Sequence, residues 1–442
     1  MNAARLTFSR ASRSPAIYLL ALSIVHANGA NAAGGDLLWQ DAVDGGAKAG
    51  DMAHAVAVFG GMVFAAGELQ KLGISSFAIR AYDSATGALV WTDRPAGEPG
   101  QDFANDVDAS EQGVVVCGTV SEAGAGKFGV RFYGLTDGHL IWEDQSQFGS
   151  ADACDVLGTT VYVAGNIRNS TTGPDFTVRA YDSATGVLLW EDQFDGGAEV
   201  GDFAHAFSIA SGRLYAVGRI QQTAGNDDIV IRSYDAHTGA VIWHQVFAGP
   251  AGESDEAFDV AVGRDRVFVA GRASFIPDST GLLTWAVQAY SADTGKLLWA
   301  DYHQKQEVDD IVVQDERVIA VGTRQGGPAV IRAYDARSGN ILWRDSFGGT
   351  FSEAMAVDTN GQLAYLGGHV RRTTGELAIW TVRAVDLTTG ARVWQDRFRT
   401  SKSGGRVNDL VVASGRVYAV GLTEDAVTRS VKDFFVRVYD AQ

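Results

Sequence analysis

The sequence has little cysteine, little proline and fewer basic than acidic residues. Two of the 442 residues are cysteines, Cys117 and Cys154, and their separation excludes a zinc site of the CxxC type. One disulfide stays open as an alternative, because secreted proteins form them. With 36 basic and 53 acidic residues the formal charge is −17. Nucleic acids and anionic membranes require basic patches, so neither is an expected partner.

Long apolar runs are also missing, apart from a short one at residues 16–25. That run is too short to span a bilayer, which needs about 20 residues. It follows three arginines and precedes Ala30-Asn31-Ala32, the pattern of a cleaved secretory signal peptide. We expect residues 1–32 to be removed and residues 33–442, starting at Ala33, to form one periplasmic or secreted domain. No cysteine lies at the expected cleavage site, so we expect no lipid anchor there. Because no later segment has a long apolar run, we also expect no membrane span.

One segment recurs along the chain and defines a repeat. AYDSATGALVW at 81–91 has further copies at 132–142, 180–190, 233–243, 289–299, 333–343 and 384–394. Half a copy, GGDLLW, lies at 34–39, and the complementary half, VYDAQ, ends the chain at 438–442. Each copy ends on a tryptophan, and these eight are interpreted as structural: Trp39, Trp91, Trp142, Trp190, Trp243, Trp299, Trp343 and Trp394.

Each repeat contains two predicted hairpins. In one repeat, two β-rich runs at 203–218 flank the turn Ser211-Gly212, and a second hairpin at 176–194 turns at SATG. No segment after the signal peptide has sustained helical periodicity. The sequence therefore predicts an all-β fold, an eight-bladed β-propeller of four-stranded antiparallel blades. The glycine content, 53 residues against seven prolines, fits many tight turns.

The divided copy predicts how the ring closes. An open sheet edge would be exposed if the two chain ends did not meet. We therefore expect the C-terminal strand from Phe434 to Asp440 to pair with the N-terminal strand from Leu37 to Asp41.

Two charged positions accompany the repeat. Arginine precedes seven of the eight copies, with Gln288 as the exception: Arg80, Arg131, Arg179, Arg232, Arg332, Arg383 and Arg437. Aspartate follows seven of the eight tryptophans by two residues, with Gln245 as the exception: Asp41, Asp93, Asp144, Asp192, Asp301, Asp345 and Asp396. A hairpin with a four-residue turn would place Arg80 opposite Trp91 and beside Asp93. We expect each arginine to lie on the indole of its own blade, as Arg437 on Trp39 with Asp41 in reach.

The segment AxDxxTGxxxW resembles the tryptophan-docking motif of the pyrroloquinoline quinone (PQQ) enzyme repeat family. The resemblance covers nearly all of the mature chain and implies an eight-bladed propeller with each tryptophan wedged between blades. That family includes quinoprotein dehydrogenases as well as cofactor-free propellers such as the outer-membrane assembly lipoprotein. The sequence lacks the adjacent cysteines, the long insertions and the CxxCH haem segment of the dehydrogenases.

Candidate site residues come from the first strand of each blade, which lines the channel of a propeller. Aligning the first hairpins on their closing glycines, with small gaps, brings one mostly polar position into register near the strand start. The residues at this position are His54, Asn105, Cys154, His205, Phe258, Asp309, Glu353 and Asn408.

Three uses of this ring stay open. His54, His205, Asp309 and Glu353 have side chains that bind divalent metals. Asp309, Glu353 and Asn408 are of the types that would hold calcium beside PQQ. All eight could instead form a hydrated channel rim. Asp44 and Asp195, in glycine-rich segments, do not match a calcium-binding loop and are interpreted as turns between blades.

A complete repeat frame without an added catalytic segment favours a non-catalytic binding or scaffold module. We expect a monomer that binds a protein or a small molecule at one propeller face. The alternatives are a PQQ-dependent alcohol or sugar dehydrogenase, with the cofactor and calcium in the channel, and a metal-dependent hydrolase or lyase at the channel mouth.

Overall fold

A computed structural model of the chain describes residues 34–442 apart from 47–49, 72–73, 95–101, 123, 198–200, 224–225, 251, 253, 275–283, 374–375, 400–402 and 426–430. The expected signal peptide and Ala33 lie outside the described residues. The described chain folds into 32 strands, which form eight four-stranded antiparallel sheets. The predicted all-β propeller of eight blades is confirmed. None of the described residues belongs to a helix long and apolar enough to cross a membrane.

Seven blades are built from consecutive strands. Blade 1 contains β2 Met52–Phe59, β3 Met62–Lys71, β4 Ile74–Asp83 and β5 Leu89–Asp93. Blade 2 contains β6 Phe103–Ser110, β7 Gly113–Glu122, β8 Ala125–Tyr133 and β9 Leu140–Asp144. Blade 3 contains β10 Gly149–Leu157, β11 Thr160–Asn169, β12 Gly173–Asp182 and β13 Leu188–Phe194. Blade 4 contains β14 Phe203–Ala210, β15 Arg213–Thr223, β16 Asn226–Asp235 and β17 Val241–Phe247.

The next three blades repeat the same order of strands. Blade 5 contains β18 Glu256–Val262, β19 Arg266–Arg272, β20 Thr284–Ser291 and β21 Leu297–Gln304. Blade 6 contains β22 Gln306–Gln314, β23 Arg317–Arg324, β24 Ala329–Asp335 and β25 Ile341–Phe347. Blade 7 contains β26 Glu353–Thr359, β27 Leu363–Val370, β28 Ile379–Asp386 and β29 Arg392–Phe398. In each blade the first strand contacts the first strand of the next blade, so these strands line the channel.

Blade 8 is assembled from both ends of the chain. It contains β30 Ser403–Ala413, β31 Arg416–Asp425, β32 Val431–Asp440 and the N-terminal strand β1 Leu37–Val43. The sheet order is β1-β32-β31-β30, so the N-terminal strand is the outermost one. The predicted pairing of the two chain ends is confirmed, with Val438 opposite Trp39 and Arg437 opposite Gln40.

The expected contact between each arginine and its own tryptophan was wrong. A one-residue bulge at Val90 shifts the register, so that Arg80 lies opposite Thr92 while Ala81 lies opposite Trp91. One residue of shift moves a side chain to the other face of the sheet. The arginine and the tryptophan of a blade therefore point to opposite neighbours. The same bulge occurs in blade 8, at Leu38, so Arg437 does not lie against Trp39.

Six of the seven arginines form ion pairs with the preceding blade instead, while Arg332 donates to Gln306 Oε1. Arg80 of blade 1 pairs with Asp41 of blade 8 at 3.4 Å, and the hydroxyl of Tyr82 donates to the same carboxylate at 2.9 Å. Five more interfaces repeat the ion pair, with the pairs Arg131 and Asp93, Arg179 and Asp144, Arg232 and Asp192, Arg383 and Asp345, and Arg437 and Asp396. These side chains therefore join blades rather than strands within one blade.

The two exceptions to the charge pattern lie at one interface. Gln288 of blade 5 occupies the arginine position, and Gln245 of blade 4 occupies the aspartate position that an arginine there would meet. Gln288 Nε2 donates to the Tyr302 hydroxyl at 2.8 Å, and its Oε1 accepts from the Tyr290 hydroxyl at 2.8 Å. Because both charges are replaced together, neither is left buried without an opposite charge.

Each tryptophan reaches into the following blade. The indole of Trp190 in blade 3 donates to the carbonyl of Ala236 in blade 4 at 3.0 Å, and six other repeat indoles make the equivalent bond. Trp190 also covers Gly239 in the turn of blade 4, where an added Cβ would come within 2.6 Å of the ring. Glycine is required there because the indole fills the space and φ is +72°.

Candidate functional site

The first strand of every blade carries a one-residue bulge near its start. The extra residues are His54, Asn105, Asp152, His205, Phe258, Asp309, Met355 and Asn408. We call them the bulge ring. Six of them are positions that the sequence alignment selected. In the other two blades the structure places Asp152 and Met355 at the bulge, two residues from Cys154 and Glu353.

A fixed spacing explains the difference. The closing glycine follows the bulge by thirteen residues in every blade, as Gly165 follows Asp152 and Gly368 follows Met355. The glycine is needed because the bulge brings a backbone carbonyl close: at Gly165 an added Cβ would lie 2.1 Å from the Ser150 oxygen. An alignment without gaps would have selected Asp152 and Met355.

On one side of the channel the bulge ring links four successive blades. Asn408 Nδ2 of blade 8 donates to the Ala53 carbonyl at 2.8 Å, and His54 Nδ1 of blade 1 bonds to the Ala104 carbonyl at 2.9 Å. Asn105 Nδ2 of blade 2 donates to the Ala151 carbonyl at 2.9 Å. Burial lowers the pKa of His54 to about 3, so its imidazole is neutral and Nδ1 is the donor to the carbonyl.

On the other side a charged cluster joins blades 3, 4 and 5. His205 Nε2 lies 2.8 Å from Glu256 Oε1, and its Nδ1 lies 3.7 Å from Asp152. Glu256 also pairs with Arg272 at 2.7 Å and with Arg219 at 3.3 Å. All five side chains are partly or fully buried at the channel mouth. Here too the polar groups bond to one another across the blade interfaces.

Charge compensation sets the protonation states in this cluster. Burial opposes the imidazolium, but hydrogen bonds and charges of Asp152 and Glu256 outweigh it and raise the pKa of His205 to about 9. Burial likewise favours the neutral acid of Glu256, but His205, Arg272 and Arg219 outweigh it and lower the pKa to about 2. His205 is therefore a cation and Glu256 an anion at neutral pH.

This arrangement predicts a pH-dependent contribution of His205 to stability. Because the pKa is raised from 6.5 to about 9, the stabilisation is complete below about pH 6.5 and is lost as pH rises through about 9. His205→Gln should lower the free energy of unfolding by on the order of 1–3 kcal/mol at about pH 6 and by much less above about pH 9.5. Urea titrations at both pH values measure the difference. The exposed His237→Gln is the control, and an equal loss for His205→Gln at both pH values would contradict the assignment.

Sequence reasoning missed four buried aspartates next to the bulge ring. They directly follow the bulge in blades 2, 5, 6 and 8: Asp106, Asp259, Asp310 and Asp409. Asp106 accepts from its own neighbour, Val107 N, at 2.8 Å and from Cys154 N of blade 3 at 2.9 Å. Burial raises its pKa to about 7. A signal was present, since a carboxylate inside an apolar strand needs buried partners.

These aspartates satisfy the backbone that the bulges leave unpaired. Asp409 accepts from Val56 N at 2.9 Å, Asp310 from Val357 N at 2.7 Å, and Asp259 from Ile311 N at 3.0 Å. Each carboxylate thereby joins its blade to the next around the channel. Orphaned buried N–H groups are costly, which explains why aspartates occupy such apolar positions.

The structure does not gather the candidate metal ligands. His54, His205, Asp309 and Glu353 belong to blades 1, 4, 6 and 7, and no three of them have ligand atoms within 4.8 Å of one another. Asp309 accepts from Thr323 at 3.0 Å, and Glu353 lies 3.8 Å from His369. Burial lowers the pKa of His369 to about 4.

Among the described residues, one group of three His, Cys, Asp or Glu side chains has ligand atoms within 4.8 Å of one another. This group includes none of the bulge-ring residues. It comprises Asp175, Asp195 and Asp202. Asp202 and Asp195 accept from backbone N–H groups of the loop between blades 3 and 4, namely Gly196 and Gly197. These contacts agree with the interpretation of this segment as a turn.

The sequence matches a known protein family over most of its length. The family model described as "Outer membrane protein assembly factor BamB" matches residues 21–228, 75–285 and 226–431, which together cover most of the chain. No curated protein matches the chain.

Several solved structures share the fold at low sequence identity. BamB from Moraxella catarrhalis has a TM-score of 0.53 at 15% identity, over 92% of this chain and 97% of that one. Quinohemoprotein alcohol dehydrogenase from Comamonas testosteroni has a TM-score of 0.60 at 13% identity, over 92% and 76%. Sqt1 from Chaetomium thermophilum, bound to the N-terminus of ribosomal protein L10, has a TM-score of 0.60 at 14% identity, over 88% and 97%. These likenesses show the fold alone.

Proposed function

Because the chain belongs to the family of the outer membrane protein assembly factor BamB, we propose that it is an extracytoplasmic, non-catalytic propeller that binds a protein partner. One observation carries the proposal. Four polar side chains of the bulge ring are bonded to the next blade, those of His54, Asn105, His205 and Asn408. Such bonds stabilise the contacts between blades, which favours a structural role for these side chains over binding of a reacting molecule.

The PQQ dehydrogenase is the second candidate, because such enzymes share the fold. One feature at the channel mouth favours the dehydrogenase. The Arg219 guanidinium lies 4.5 Å from the centre of the Phe203 ring, and that ring stacks on His205. A planar anionic quinone would suit such a surface. However, both Arg219 and Arg272 are already paired with Glu256.

The proposed calcium ligands fit the quinone no better. Among the described residues, the one close group of acidic, histidine or cysteine ligand atoms contains neither Asp309 nor Glu353. The Asn408 Nδ2 donates to the Ala53 carbonyl, whereas its Oδ1 is buried without a hydrogen-bond partner. His54, His205, Asp309 and Glu353 likewise belong to no close group of three ligands, which argues against the metal-dependent hydrolase or lyase. PQQ with calcium is therefore the less favoured occupant of the channel.

Reconstitution distinguishes the two candidates. We expect that adding PQQ and calcium to the purified full chain gives no saturable change in tryptophan fluorescence and no dye-linked oxidation of alcohols or sugars. The matched control is the variant Glu256→Gln, which removes the negative charge that pairs with Arg219 and Arg272. It tests whether these arginines bind the anionic PQQ once they are unpaired. Saturable binding together with dye reduction by the unaltered protein would overturn the non-catalytic proposal.

A genetic experiment tests the binding role. Deleting the gene in the source organism should lower the amount of folded outer-membrane protein, measured by heat-modifiable migration in gels. Wild-type protein and the His205→Gln variant should both restore that amount, because His205 supports the fold rather than chemistry. Unchanged outer-membrane proteins in the deletion strain would contradict a role in their assembly.

A further inference from the structure

The two cysteines of the chain face each other across the interface of blades 2 and 3. Cys117 lies on β7 opposite Asp106, and Cys154 lies on β10 of the next blade, where its N–H donates to the Asp106 carboxylate. Both side chains are fully buried in one apolar cluster, and each thiol influences the pKa of the other. Both are free thiols in the structure.

The repeat shows that these two positions are equivalent contact positions in every interface. The first position lies on the second strand of a blade, opposite the residue that follows the bulge, as Cys117 lies opposite Asp106. The second position lies on the first strand of the next blade, two residues after its bulge, as Cys154 follows Asp152. Elsewhere the pairs are Val420 and Val56, Ala66 and Val107, Ala164 and Phe207, Val217 and Val260, Ala270 and Ile311, Val321 and Val357, and Gly367 and Leu410.

These other seven pairs are apolar side chains in contact, apart from Gly367, which leaves room for Leu410. A pair such as alanine and valine therefore fills this space without sulfur. The sequence nevertheless places both of its cysteines on one facing pair among eight interfaces. We infer that Cys117 and Cys154 form a disulfide that covalently joins blades 2 and 3.

The reaction requires an oxidant, which we take to be a disulfide donor such as oxidised glutathione or a thiol–disulfide oxidoreductase. One cysteine thiolate attacks the donor disulfide and displaces a thiolate, which leaves a mixed disulfide on the protein. The second cysteine thiolate then attacks the protein sulfur of that mixed disulfide and displaces the other half of the donor. Two S–H bonds and the S–S bond of the donor break, and one S–S bond forms between Cys117 and Cys154. The two protons pass to the two thiolates that leave the donor, which is reduced by two electrons.

Burial dictates when this exchange occurs. In the folded chain burial raises the pKa of the Cys117 thiol to about 11, so the reactive thiolate is scarce. The donor also has no access to fully buried sulfur atoms. The disulfide therefore forms during folding, before blades 2 and 3 close on each other, and stays protected afterwards.

Refolding in a glutathione redox buffer tests the inference on the full chain. After unfolding in an alkylating reagent, the refolded protein should carry no alkyl group, and a non-reduced digest should contain one linked peptide with both cysteines. Protein refolded with a strong reductant should carry an alkyl group on each cysteine. The apparent Tm of the oxidised form should exceed that of the reduced form by about 3–5 °C.

A double variant provides the control for stability. Cys117→Ala with Cys154→Val reproduces the pair Ala66 and Val107 of the neighbouring interface. It should fold, and its Tm should not respond to reductant. Two alkylated cysteines in the protein refolded in glutathione would overturn the disulfide, as would a linked peptide joining two chains. These outcomes leave the proposed binding role untouched, because that role does not depend on the sulfur atoms.

Discussion

Deleting residues 434–442 should abolish folding of the propeller to a monomer. This segment forms most of β32, which pairs with β31 on one side and with the N-terminal strand β1 on the other. Its loss would leave β1 without a partner and open the ring at blade 8. An exposed sheet edge of this length is a site of aggregation.

The lost burial is of the same size as the whole stability of a domain. Five large apolar side chains of the segment are buried, namely Phe434, Phe435, Val436, Val438 and Tyr439. Each contributes roughly 1.5–3 kcal/mol, so the sum approaches the 5–15 kcal/mol that separates most folded proteins from their unfolded state. We therefore expect aggregation in size-exclusion chromatography and no cooperative thermal transition by circular dichroism.

The control removes a single residue from the same end. Gln442 is exposed, so a chain that ends at Ala441 should remain monomeric and keep its thermal transition. If the chain that lacks residues 434–442 also stays monomeric and unfolds cooperatively, closure through β32 does not maintain the fold.

Replacing Trp190 by alanine should destabilise the protein by about 3–5 kcal/mol, the usual cost of a large aromatic side chain lost from a core. The indole contacts blade 4 by stacking on Tyr234 at 6.0 Å and by its bond to the Ala236 carbonyl. It also covers Gly239, so its removal leaves a cavity between two blades. Urea-induced unfolding followed by circular dichroism measures the change.

Two further variants separate the role of this indole from that of its strand. Leu189 is the preceding residue and 52% exposed, so Leu189→Ala should change the free energy of unfolding by less than about 1 kcal/mol. Trp190→Phe should recover part of the loss, because it restores the stacking but not the hydrogen bond. Equal midpoints for wild type and Trp190→Ala would remove the repeat tryptophans from the account of stability.

The sequence predicted the candidate site only in part. Six of the eight bulge positions were selected from the sequence, because aligning the first hairpins on their closing glycines brings the residues near the strand start into register. Cys154 and Glu353 were selected in place of Asp152 and Met355 because the alignment admitted gaps where the spacing to the closing glycine is constant. The aspartate partners of the arginines were assigned to the wrong blade because a single bulge, as at Val90, is invisible in the repeat pattern.

The sequence by itself determined the number of blades, their four-stranded hairpin structure and the closure of the ring. Those properties follow from periodicity, since each repeat has the same local turn chemistry and the divided copy must be joined. The tertiary structure alone decided which blade receives each charged side chain, which polar groups meet at the channel mouth, and that Cys117 faces Cys154. Such contacts join residues of successive blades, which are far apart in the sequence, and their geometry depends on bulges and on the angle between blades rather than on local sequence.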